Sequence, residues 1–167
     1  LDDIRAIRCL VTLETDPTRI TQGASSIKLS ISGNIPSGTL LAYRDFASTN
    51  MVGDTLVSAS IRCDKPLGYQ QFQYLLDNTA ACVSPLESIN FPDSLVADAW
   101  HNVSFALATP AALGAVISHG ITLKDRNIGP CTLWIDDIKR ATAVAGNLTG
   151  RYFVWVSYYN SKYDKES

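Results

Sequence analysis

Basic charge is scarce in this sequence: 14 Lys and Arg stand against 16 Asp and Glu over 167 residues, a formal net charge of −2. A protein that neutralises phosphates needs a positive patch, and no Lys/Arg cluster supplies one, so nucleic acid is not expected as a partner. Long apolar runs are lacking as well. None approaches the roughly 20 residues that cross a bilayer as a helix, so no membrane span is expected. The four cysteines, Cys9, Cys63, Cys82 and Cys131, are widely spaced with no Cys-x-x-Cys and no nearby histidine, which argues against zinc. They read either as disulfides or as small buried thiols, and thiols are preferred because a domain of this length folds without covalent staples. Histidine is limited to His101 and His119, and no Ser or Cys sits in a nucleophile-elbow context, so a hydrolytic triad is unsupported. Glycoside hydrolysis needs two facing carboxylates; Glu14, Glu87 and Asp125 are present, but nothing in their spacing makes a pair. No catalytic residue is expected. A basic-then-apolar leader is missing too, and the chain runs from Leu1 to Ser167 as a piece of a longer or processed protein would.

What is present is alternation. Ile27, Leu29 and Ile31 alternate with Lys28, Ser30 and Ser32; Val57, Ala59 and Ile61 with Ser58, Ser60 and Arg62; Val103, Phe105 and Leu107 with Ser104 and Ala106. Ile117, Ile121 and Leu123 share one parity, which His119 also occupies, and Leu133 and Ile135 another. A period of two is the signature of half-buried strands. Further strands are expected at Leu10–Glu14, Thr39–Phe46, Tyr69–Asp77, Ser88–Phe91 and Arg151–Tyr159. Turn chemistry separates them, as at Thr15-Asp-Pro17, Gly33-Asn34, Pro36-Ser-Gly38 and Gly129-Pro130. Helix is limited to a turn at Thr109-Pro110-Ala-Ala-Leu113-Gly114, with Thr109 as N-cap, and a second stretch at Pro92–Ala99. About ten short strands at this spacing predict an all-β, antiparallel β-sandwich of the jelly-roll kind, with at most one or two short helical turns. The domain is expected over residues 1–143. Residues 144–150 read as a linker, and residues 151–167, aromatic on both parities, as the start of a following immunoglobulin- or fibronectin-like β module or an assembly strand.

Gly23-Ala-Ser-Ser-Ile-Lys-Leu29, Trp100-x-x-Val-x-Phe-x-Leu107 and Leu133-Trp-Ile-Asp-Asp-Ile138 resemble, in order and spacing, the jelly-roll carbohydrate-binding modules of the galactose-binding-like fold, over roughly residues 9–142. Leu75-Leu-Asp77 followed by Cys82-Val-Ser-Pro-Leu-Glu-Ser-Ile-Asn-Phe-Pro92 is similar to the version of this module in bacteriophage virion and fibre proteins. The resemblance implies a structural calcium joining the early loop to the last strand, with Asp136 or Asp137, backbone near Gly23, and Asp16 or Ser25 as candidate ligands. Hard oxygen donors of that kind suit calcium.

Sugar binding needs aromatic platforms for pyranose faces and polar side chains for hydroxyls. Tyr43, Tyr69, Tyr74, Trp100 and Trp134 are the candidates, with Gln70, Gln71, Gln73 and Asn102 as polar neighbours. Trp134 is opposite in parity to Leu133 and Ile135, so it is expected to leave the core. The expectation is therefore a non-catalytic structural or adhesion module of a phage virion protein (capsid decoration, fibre or tail component). It would sit on the virion surface, contact other virion subunits or neighbouring copies, and also bind surface polysaccharide. The alternative is a carbohydrate-binding module of a secreted polysaccharide-degrading enzyme.

Overall fold

The computed structural model describes residues 4–6, 9–68, 70–92, 94–124, 129–142, 159–160 and 165–166. In chain order the strands are β1 (Ile4–Ala6), β2 (Cys9–Glu14), β3 (Ser26–Ile31), β4 (Thr39–Thr49), β5 (Leu56–Cys63) and β6 (Phe72–Asp77). They continue as β7 (Glu87–Asn90), β8 (His101–Ala106), β9 (Val116–Leu123), β10 (Cys131–Ala141), β11 (Tyr159–Asn160) and β12 (Lys165–Glu166). Two five-stranded antiparallel sheets result. The front sheet has the order β1-β4-β9-β6-β7 and the back sheet β2-β3-β10-β5-β8. Apart from β2-β3 and β6-β7, neighbours in each sheet are not consecutive in sequence, so the chain passes back and forth between the layers, and the expected jelly-roll sandwich is the fold observed.

The alternating residues build the core as their period demands. Leu29, Ile61, Phe105 and Leu133 of the back sheet are buried with Phe72, Tyr74, Leu76 and Leu123 of the front sheet in one apolar cluster. Across the layers the Tyr74 and Phe105 rings stack, with centroids 5.2 Å apart, and Phe91 lies 5.3 Å from Phe105. Each such side chain contributes about 1.5–3 kcal/mol by leaving water. The four cysteines are thiols. Cys63 and Cys131 share a thiol hydrogen bond that holds Cys63 below, and Cys131 above, the ordinary thiol range.

Two local expectations change. Residues around Leu95 form no helix, because Leu95 and Leu67 exchange backbone hydrogen bonds of 2.9 and 3.2 Å and so spend those groups on a cross-chain bridge. At Pro110–Ala112 there is a single 3-10 turn, but Thr109 does not cap it; its hydroxyl donates to Glu87 Oε1 at 2.8 Å instead. In the tail, β11 and β12 pair with each other. The expectations for residues 144–150 and the rest of 151–167 lie outside the described residues.

Candidate functional site

Because strand side chains alternate, the residues of the front sheet that do not enter the core form an outer face, and the register arranges them in rows. Asn90 lies opposite Gln73, Gln73 opposite Thr122, and Thr122 opposite Leu40. Ser88, Leu75, Gly120 and Tyr43 make the next row, and Asp77, Ser118 and Asp45 the third. A row across four strands is about 14 Å long at the usual interstrand spacing of roughly 4.8 Å.

The third row is sealed by the loop that holds the 3-10 turn Ala80–Cys82. The Ala81 N–H donates to Asp45 Oδ1 at 2.8 Å and the Cys82 N–H to Ser118 Oγ at 3.2 Å, while the Ser118 hydroxyl donates to the Thr79 carbonyl at 2.7 Å. Asp77 Oδ2 accepts from the Thr79 hydroxyl at 2.5 Å and the Ser84 N–H at 2.8 Å. Ser118 is 0% exposed in consequence, although sequence parity assigns it to the polar side. Gly120 is required here. A Cβ at this position would stand 3.0 Å from the Ala42 carbonyl oxygen and 3.1 Å from both Cys82 Sγ and Leu40 Cδ1. Asp45 and Asp77 sit two strands apart, but both are spent on the loop, so they do not form an acid–base pair open to a polysaccharide. Glu87 is likewise committed, to Thr109.

In the first row Thr122 is buried, its hydroxyl donating to the Thr39 carbonyl at 2.9 Å, while Gln73 and Asn90 beside it are half-buried. Gln73 Nε2 donates to Asn90 Oδ1 at 2.9 Å, and Lys124 Nζ donates to the same oxygen at 3.1 Å and to Gln70 Oε1. These half-buried side chains bond chiefly to one another rather than to the backbone. Three amides and an ammonium offer donors and acceptors at one place, which is what recognition of sugar hydroxyls requires. Of the expected aromatics among the described residues, Tyr43 is half-buried in the adjoining row.

The other expected platforms go elsewhere. Tyr74 is 4% exposed, a core residue whose hydroxyl is 2.7 Å from His119 Nδ1, because its parity in β6 turns it inward. Trp134 does leave the core, onto the outer face of the back sheet, but it is 3% exposed and not an open platform. The Arg19 guanidinium covers its ring at 4.2 Å, Lys28 and Arg62 flank it, and its Nε1–H donates to Glu14 Oε2 at 3.3 Å. That bond, one from the Asp16 backbone and one from Lys28 hold the Glu14 carboxyl down at about 2, the Asp16 bond contributing most. Trp100 is half-buried just before β8, at the edge of the back sheet, and Asn102 accepts from Ser60 Oγ at 2.8 Å on that sheet. Tyr69 lies outside the described residues. Asn90 and Lys124 were missed in the sequence; their only signal is parity, since both fall opposite the buried residues beside them.

The expected cation ligands are placed around Asp136, and they do not fit calcium. Asp136 Oδ2 accepts the Thr21 N–H at 2.7 Å, the Thr21 hydroxyl at 2.8 Å and the Gln22 N–H at 2.9 Å, while Oδ1 accepts the Asp137 N–H at 2.8 Å. Hydrogens therefore point at the carboxylate where a calcium shell needs oxygens. Burial opposes the charge of Asp136, yet the Gln22 and Thr21 bonds prevail and hold its carboxyl below the usual range. Asp137 pairs with Lys139 at 2.7 Å, and Asp16 accepts from its own turn at Thr18. Gly23 and Ser25 add no carboxylate, and no cluster of three metal-ligating side chains occurs among the described residues.

No family model matches the sequence, and no curated protein matches it. Solved structures do. The family 11 carbohydrate-binding module of a cellulosomal cellulase of Clostridium thermocellum is 10% identical, with a TM-score of 0.54 over 84% of this chain and 88% of that one. A family 4 carbohydrate-binding module is 11% identical, with a TM-score of 0.53 over 84% of this chain and 95% of that one. The CBM22-1 and GH10 modules of a Clostridium thermocellum xylanase, complexed with xylohexaose, are 17% identical, with a TM-score of 0.50 over 86% of this chain and 26% of that longer one. Identities this low establish architecture alone: the chain shares a jelly-roll β-sandwich fold with these modules.

Proposed function

We propose that the chain is a non-catalytic glycan-binding module that takes its ligand along the row Asn90, Gln73, Thr122 and Leu40, beside Tyr43. The observation that carries this is the polar cluster of Gln70, Gln73, Asn90 and Lys124. Its side chains hold one another in place on the outer face of a sheet and are available to hydroxyl groups. The row's length of about 14 Å suits a short stretch of a polysaccharide laid across the strands. Such neighbours as a cellulase module and a xylohexaose-bound xylanase support the alternative reading, a module of a secreted polysaccharide-degrading enzyme, and an extracellular setting. They lend nothing to a virion role, so that reading gives way to the alternative.

Calorimetric titration with xylohexaose and cellohexaose tests it. Binding is expected with at least one. Gln73→Ala should weaken it about tenfold, the equivalent of one good hydrogen bond at about 1.4 kcal/mol. Trp134→Phe, on the opposite sheet, should leave affinity unchanged. Absence of heat with both sugars, together with no retention on insoluble xylan or cellulose, would sink the proposal.

A further inference from the structure

A second polar site lies between the sheets. β4 presents Arg44 in register with His119 of β9 on the face turned toward the back sheet, one pair along from Ala42 and Ile121 of the core. A charged group on the core side of a sandwich strand needs a partner, and Arg44 Nε is buried with none. The His119 ring bonds Tyr74 through Nδ1 at 2.7 Å. Burial pushes the Tyr74 phenol up, so its hydroxyl keeps its proton and can stand on either side of this bond.

Arg44 and His119 line a cavity of about 230 Å³, far more than the roughly 10–15 Å³ one water needs. Ser25, Asp136 and Asp137 line its back-sheet side, and Ile27 and Ile138 give it an apolar wall. A second cavity of about 170 Å³ shares His119 and Ile138 with it. The opening has a cause in the backbone: β10 slips register against β5 between Asp136 and Lys139, and Asp137 sits at φ 53, a left-handed conformation that costs a non-glycine residue. Strain and bulges of this kind concentrate at binding sites.

We propose that this inter-sheet slot binds a neutral polyhydroxylated molecule of monosaccharide size, separate from the outer-face row. Hydroxyl groups both donate and accept, which suits a lining of the Arg44 guanidinium, the His119 ring, the Asp137 carboxylate and the Ser25 hydroxyl. An anion would meet two carboxylates. A purely apolar guest would strip water from Arg44, Asp136 and Asp137 and give nothing in return. The C–H face of a sugar suits Ile27 and Ile138.

The test is NMR titration with free D-glucose, D-galactose and D-xylose, following the His119 ring nitrogens and the Ile138 methyls. Saturable shifts at both residues are expected with at least one sugar. Arg44→Met should weaken that binding at least tenfold, and Ile138→Trp, which fills the slot from its apolar side, should abolish it if Arg44→Met fails to fold. Neither change should alter xylohexaose or cellohexaose binding at Gln73. Shifts confined to Gln73 and Asn90, or none at His119 with any of the three sugars, would overturn the slot while leaving the outer-face row to stand or fall on its own titration.

Discussion

His119 shows how much one residue's setting decides. Parity alone places it half-inside, and a half-buried histidine is ordinarily satisfied by backbone; here its partner is the Tyr74 hydroxyl. Burial, helped by the nearby Arg44 charge, pushes its pKa down to about 4 from 6.5. The unfolded chain therefore binds a proton that the folded one refuses between those values. Stability is complete above about pH 6.5 and falls as pH drops toward about 4, by up to about 1.4 kcal/mol per pH unit. Urea unfolding at pH 7, 6 and 5 should show this slope. His119→Gln, which keeps a polar partner for Tyr74 without titrating, should flatten it. An unchanged slope in the variant would assign the effect to other groups.

Between elements, the decisive contact is the one that Asp136 of β10 makes with the segment before β3. Sequence resemblance pairs this loop with this strand through calcium. The structure joins the same two pieces through N–H and O–H donors, so the juxtaposition was legible and its chemistry was not: a backbone can turn either its carbonyls or its amides toward a carboxylate, and side-chain identities do not say which. Asp136→Asn should cost about 1–3 kcal/mol, since Thr21 and Gln22 donors lose their charged acceptor. EDTA should leave the thermal midpoint where it is. A midpoint that climbs with added calcium would show binding to the native state and contradict the clasp. Because the Asp136 carboxyl is held below its ordinary range, this contact keeps its full strength above the usual carboxylate pKa and is lost as pH falls through the folded value.

At the scale of the molecule, near-balanced charge and a patch built from amides and a single ammonium point to a neutral partner. Screening acts on charge pairs, so affinity for xylohexaose or cellohexaose should change less than about twofold between about 0.05 and about 0.5 M NaCl. A steep fall with salt would indicate an acidic ligand instead. The sandwich itself could be read along the chain, because period-two alternation at Ile27–Ile31, Val57–Ile61 and Leu133–Ile135 is a local property that burial on one face enforces. Aromatic exposure could not. Trp134 obeys its parity and still lies under Arg19, a residue more than a hundred positions away, and Ser118 is polar by pattern yet buried because a distant loop bonds over it.

The sequence by itself determined the class of fold, the main strands and which residues face inward, since these follow from periodicity and turn chemistry within a few residues. Only the tertiary structure decided which polar side chains meet. Gln70, Gln73, Asn90 and Lys124 converge because β6, β7 and β9 are neighbours in one sheet. Arg44 faces Asp137 because two sheets stack. Such neighbours are set by topology and register, which bring together positions that no local pattern relates.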